Sequence, residues 1–100
     1  MIVYNVTIKV ESEAAEEWVK WMKGIHIPDV LGTGLFTDAR LCRLMEQEEA
    51  DGATFVAQYF CDSMKEYNRY IDEFATIMRE RSFKAFGAKF VAFRTVMEVI

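Results

Sequence analysis

His26 is the only histidine in the chain, and it sits in a stretch that also holds both tryptophans and the only proline, Trp18 to Leu41, WVKWMKGIHIPDVLGTGLFTDARL. An imidazole titrates near pH 6.5 and can act as acid, base or ligand. Trp18, Trp21 and Met22 precede His26 by one or two helical turns and would form an apolar wall for a flat molecule. Tyr4 and Tyr59, on strand-like segments, would add hydroxyl donors. These residues together predict a partly enclosed pocket in which His26 is the main proton-transfer or hydrogen-bonding group and whose ligand is a small hydrophobic or aromatic molecule. A second reading is also open: a histidine that satisfies a carbonyl at a helix end, beside tryptophans that only fill the core.

Other chemistries are excluded by what the chain lacks. One histidine and two cysteines cannot complete a closed nitrogen and sulfur metal site, so no metal is expected. There is no Gly-rich phosphate loop, no GxSxG and no Ser/His/Asp arrangement, so no cofactor is expected either. A net charge of −4 with scattered Lys and Arg argues against nucleic acid, which demands clustered cations. No stretch approaches the roughly 20 apolar residues of a membrane span, and Met1 leads directly into a strand-like segment rather than a signal peptide. Cys42 and Cys61 fall on opposite side-chain phases and read as free thiols, which places the protein in a reducing cytoplasm.

The elements that must position these groups follow from periodicity. Residues 2–10 alternate as a half-buried strand. Ser12 is placed to cap a helix whose apolar stripe runs through Ala14, Trp18, Trp21, Met22 and Ile25, and Pro28 predicts that this helix stops or kinks near His26. Residues 35–47 and 53–61 read as two further strands joined by an acidic loop that closes on Asp51-Gly52. Ser63 and Glu66 form a capping box for a second helix, which Gly87 ends, and residues 89–99 give the last strand. Strand, helix, strand, strand, helix, strand is the ferredoxin-like βαββαβ order: an α+β domain over residues 1–100, with a four-stranded antiparallel sheet and both helices on one face.

The face left bare by the helices is expected to carry Val3, Asn5, Thr7, Phe36, Arg40, Cys42, Gln58, Phe60, Phe90 and Arg94. That mixture is too apolar to leave wet and too polar for a dry core. It predicts a two-fold homodimer, sheet against sheet, with Arg40, Gln58, Phe60 and Arg94 at the interface.

The layout and the segment Trp21-Met-Lys-Gly-Ile-His26-Ile-Pro28 resemble the dimeric α/β-barrel superfamily of ferredoxin-like domains. More specifically, MIVYNVTIKV, WMKGIHIPDVLGTGLFTDARL, QYF and FVAFRTVMEV together resemble a bacterial family of short stand-alone proteins of unknown function, nearly end to end. The resemblance implies a homodimer with pockets between sheet and helices, and no particular activity. Haem-degrading members of the superfamily combine an Asn on the first strand with a Trp and a His. Asn5 matches the first of these, but His26 lies on the first helix rather than the second, so haem degradation is not expected. Two classes of function remain: a small-molecule-binding or enzymatic dimer with its pocket at His26, and a non-catalytic interaction or regulatory module.

Overall fold

Strand β1 (Ile2–Val10) is apolar at every second residue and flanked by neighbours on both edges in the computed structural model, which describes residues 1–100. The other strands are β2 (Asp38–Arg43), β3 (Ala53–Cys61) and β4 (Phe90–Glu98), in the order β2-β3-β1-β4, with every pair antiparallel. Between β1 and β2 a helical arm runs through a 3-10 turn (Ser12–Ala14), α1 (Ala15–Trp21), a π-helical segment (Met22–His26) and α2 (Ile27–Gly32). The second arm is α3 (Met64–Glu73) and α4 (Ala75–Phe86), followed by a 3-10 turn at Gly87–Lys89. This is the ferredoxin-like arrangement. No helix is long and apolar enough to cross a membrane.

Register decides which residues meet the helices. Tyr4 pairs with Tyr59 on one side and Val96 on the other, so these three share the helix-covered face. Asn5 pairs with Gln58 and Thr95 on the opposite, open face. The pairs Val6 with Arg94 and Ile8 with Ala92 therefore turn Arg94 toward the helices, contrary to its expected place on the open face. Phe90 moves with it, because Val10 and Phe90 pair on the helix side. In exchange Val91, Phe93 and Met97 occupy the open face, where Val91 and Phe93 are about two-thirds exposed. Both phases of β4 carry large apolar residues, so alternation alone cannot choose between them.

Strand β2 is shorter than the predicted 35–47. Pairing begins with the Thr37 N–H donating to Phe60 O at 2.8 Å, and Leu44 N–H donates to Thr54 O at 2.8 Å as the strand ends. Leu35 and Phe36 precede the strand and lie in the core, Phe36 contrary to its expected place on the open face, and Glu46 turns the chain with φ 58°. Arg43 steadies the loop through its Nε bond to Glu49 at 3.1 Å. Gly52 closes it with φ +150°, where a Cβ would come within 2.3 Å of Val10 O.

The helical arms also depart from expectation. Ser12 caps nothing; its hydroxyl faces Glu49 O and Ala50 O at 3.4 Å. Pro28 does not stop the first arm. Ile27 N–H donates to Met22 O, five residues back, and the proline then falls in the first turn of α2, where it needs no donor. The second arm starts as predicted, with Ser63 Oγ accepting from Lys65 N at 3.3 Å and donating to the Glu66 carboxylate. It is interrupted at Phe74, whose φ of −126° separates α3 from α4. Gly87, at φ +60°, ends it as expected.

Between sheet and helices the core is aromatic. Trp18 stacks at a tilt on Phe55, 5.0 Å between centroids, and Tyr4 lies within 6.1 Å of Phe36, Tyr59, Tyr67 and Tyr70. Cys61 is buried on this side and Cys42 is exposed on the open face, opposite Val56. Two outcomes are expected. Gly52→Ala should cost at least about 2 kcal/mol in denaturant unfolding, since both the φ and the contact with Val10 forbid a methyl group; an unchanged midpoint would contradict this register. Unreduced, denatured protein should yield two free thiols per chain, and fewer would show a disulfide that this geometry forbids.

Candidate functional site

His26 ends the π-helical segment, and that segment sets its orientation. In a regular α-helix residues i and i+5 point about 140° apart. The wider i→i+5 turn brings His26 back over Trp21, so the two rings stack with centroids 5.0 Å apart and planes at 23°. Phe86 meets the indole edge-on at 5.5 Å, closing a three-ring column. The expected bond from His26 to an orphaned helix carbonyl is not formed, because the helix continues past it. No side chain or backbone group hydrogen-bonds the imidazole, which leaves both ring nitrogens available.

Beneath this column a cleft lies between the sheet and both helical arms. The interior that admits water is about 60 Å³, and with the open solvent at its mouth the empty space is about 560 Å³. Tyr4, Val6 and Ile8 of β1 form its floor with Ala57 and Tyr59 of β3 and Ala92 of β4. Trp18, Met22 and His26 line it from the first arm, and Tyr70, Met78, Arg79 and Ser82 from the second. Arg94 lines it from β4, where the side chain is solvent-exposed.

The predicted site residues thus divide into three groups. Tyr4, Tyr59, Trp18, Met22 and His26 come together around one cleft. Trp21 stands behind His26 and sets its ring rather than lining the space. Arg40, Gln58 and Phe60 lie on the far side of the sheet, with the Arg40 guanidinium 5.4 Å from the Phe60 ring centre and Gln58 Nε2 donating to Asn5 Oδ1 at 3.2 Å. Sequence reasoning missed Tyr70, Arg79 and Ser82, and it misplaced Arg94. The signal for Tyr70 was the second arm's stripe itself, in which Tyr70, Phe74 and Met78 recur every four residues; Arg79 and Ser82 carry no such signal.

Electrostatics within the cleft are uneven. Burial lowers the His26 pKa to about 4; Asp29 opposes that shift, and the cations Arg94 and Arg81 reinforce it. The imidazole is therefore neutral at pH 7, a hydrogen-bonding group first and a weak base. Burial, with Tyr70 and Tyr4 alongside, pushes the Tyr59 phenol well above its usual range. The Tyr59 hydroxyl is buried without a hydrogen-bond partner. Burial raises Tyr70 as well, opposed by Arg79 and Arg94.

A depressed folded-state pKa means that the unfolded chain binds the His26 proton first as pH falls. Stability contributed by neutral His26 is present above about pH 6.5 and is lost as pH falls toward about 4. Melting temperatures measured between pH 7 and 4 should accordingly fall more steeply for the wild type than for His26→Asn, which keeps a polar group without the titration. Parallel curves would show that the imidazole is not desolvated.

Residues 1–100 match the family described as a domain of unknown function, DUF4286. No curated protein matches the chain. Among solved structures, the fold is similar to an EthD family protein from Bacillus halodurans, with a TM-score of 0.68 at 13% identity and all of both chains covered. It is also similar to a dimeric ferredoxin-like protein from an uncultured marine organism, with a TM-score of 0.74 at 10% identity, covering 99% of this chain and 94% of that one. A third likeness is to SnoaB, a cofactor-independent oxygenase from Streptomyces nogalater, with a TM-score of 0.61 at 11% identity over 98% and 92% of the two chains. Identities this low establish the ferredoxin-like fold and no activity. The match over the full length gives the family: the chain belongs to the DUF4286 domains of unknown function.

Proposed function

We propose that this protein is a homodimer that binds a small, largely apolar or aromatic molecule in the cleft at His26. The observation that carries the reading is the convergence of Tyr4, Tyr59, Trp18, Met22 and His26, from two strands and the first helical arm, on one cleft with a neutral, unpartnered imidazole at its wall. Binding sites combine an apolar lining with a few such polar groups. Support for the dimer comes from the open face of the sheet. That face carries Val91, Phe93 and Met97 beside Val56 and Phe60, and water is a poor neighbour for it. Two of the structural neighbours are themselves dimeric ferredoxin-like proteins.

The narrow interior favours a second reading, the interaction or regulatory module. A space of about 60 Å³ holds a few waters, and a larger ligand must spread the arms or lie toward the mouth.

Ligand-observed NMR with a set of small aromatic fragments separates the two. Fragments should bind the wild type, and His26→Ala should weaken them at least tenfold while changing stability by less than about 2 kcal/mol, because the substitution removes only a ring stacked on Trp21. If no fragment binds, or if His26→Ala destabilises the fold by more than that, the module reading takes over. Light scattering at micromolar concentration should give twice the 11.6 kDa chain mass, and Phe93→Glu should reduce it to one. A monomeric wild type would overturn the dimer.

A further inference from the structure

The arginines of the chain divide sharply by their partners. Arg43, Arg69 and Arg81 each hold a carboxylate, from Glu49, Glu73 and Asp29 respectively. Arg40 lies over the Phe60 ring on the open face. Arg79 and Arg94 have no carboxylate within 4.0 Å, and these two line the cleft. They come from different elements, α4 and β4, so their meeting at one cleft is a product of the fold and not of sequence proximity.

The surroundings sharpen the contrast. The chain carries 16 acidic residues against 12 basic ones, yet none of the 15 residues lining the cleft is Asp or Glu. Asp29, the acid whose charge acts on His26, is already engaged by Arg81 at 3.5 Å. Two uncompensated guanidinium groups thus stand at the mouth of a space whose walls are mostly apolar. A guanidinium presents a planar fork of donors that fits a carboxylate, and it binds more strongly beside a low-dielectric wall than in open water. Deeper in the wall the buried Tyr59 hydroxyl lacks a partner. The cleft therefore has a cationic rim, an apolar body and a polar point within.

From this arrangement we infer that the ligand is an organic acid: a small carboxylate with a flat or short apolar body, its anionic group held by Arg94 and Arg79 and its body laid against Trp18, Met22 and His26. The inference rests on the reading of the cleft as a small-molecule site and names the class of molecule.

The test pairs acids with their uncharged amides: benzoate with benzamide, and phenylacetate with phenylacetamide. Each is titrated into the full-length protein and followed by amide chemical shifts in two-dimensional NMR. Shifts in cleft residues should saturate for the acids, and the amides should bind at least tenfold more weakly. Arg94→Met and Arg79→Met should each weaken the acids at least tenfold and leave the amides unchanged. Arg69→Met, remote from the cleft, should change neither series. Native-like amide spectra of the variants establish that they fold. If acids and amides bind alike, or if the two cleft variants bind acids as the wild type does, the acid inference falls while the apolar-ligand reading stands. If neither series shifts cleft residues up to 10 mM, both fall together.

Discussion

The pairing of β4 with β1 governs the site. Nine consecutive partners, from Ile2 with Glu98 to Val10 with Phe90, fix the phase of the last strand. A slip of one residue would reverse every side chain, moving Arg94 out of the cleft and burying Phe93 beneath the helices. The same pairing shapes both the candidate cleft and the open face at once. It gives the cleft its cation from β4, and it gives the open face Val91, Phe93 and Met97. Because β1 is central and β4 is an edge strand, the backbone at the site's outer side is held from one flank only. Glu11 N–H donating to Lys89 O and Val99 N–H donating to Met1 O, each at 2.9 Å, extend the pairing beyond both ends of the strand and reinforce it.

The π-helical turn is the second determinant. It absorbs the missing donor of Pro28 by moving the hydrogen-bond ladder one residue before the proline, and it rotates His26 onto Trp21. The histidine is thereby held by ring stacking rather than by a hydrogen bond, so its nitrogens remain free for something in the cleft. Burial beside Arg94 and Arg81 keeps it uncharged, so in the proposed carboxylate site it adds no repulsion to the cationic rim when the cleft is empty. An anion placed there would reverse that penalty and favour the proton, so ligand and proton should be taken up together.

Sequence was most informative where one local rule had no competitor. The Ser63–Glu66 capping box, the Gly87 terminus and the alternation of β1 and β3 each appear in the structure as read, and they suffice for the ferredoxin-like order. It was least informative where two rules competed. Pro28 signals a break, and nothing in the neighbouring residues announces that a π turn will accommodate it. In β4, Phe90, Val96, Val91, Phe93 and Met97 put bulk on both phases, so only long-range pairing could show that Arg94 faces inward. Leu35 and Phe36 fit a strand pattern, yet burial under the helices claims them first. In the candidate site, Trp18, Met22 and His26 were legible because unusual residue types stood close together, and Tyr4 and Tyr59 because of their phase on strand-like segments. Arg79 and Ser82 were not, since on an isolated helix each looks like a solvated position.

The state of the single imidazole bears most directly on the whole account, and having one histidine makes its resonances unambiguous. Long-range proton–nitrogen NMR of the imidazole across pH, with and without saturating benzoate, measures its protonation. A neutral ring down to about pH 5 in the free protein, with a pKa that rises when the acid is bound, is the predicted result. A free-protein pKa near 6.5 that benzoate does not move would contradict both the enclosure of His26 and the cationic cleft around it.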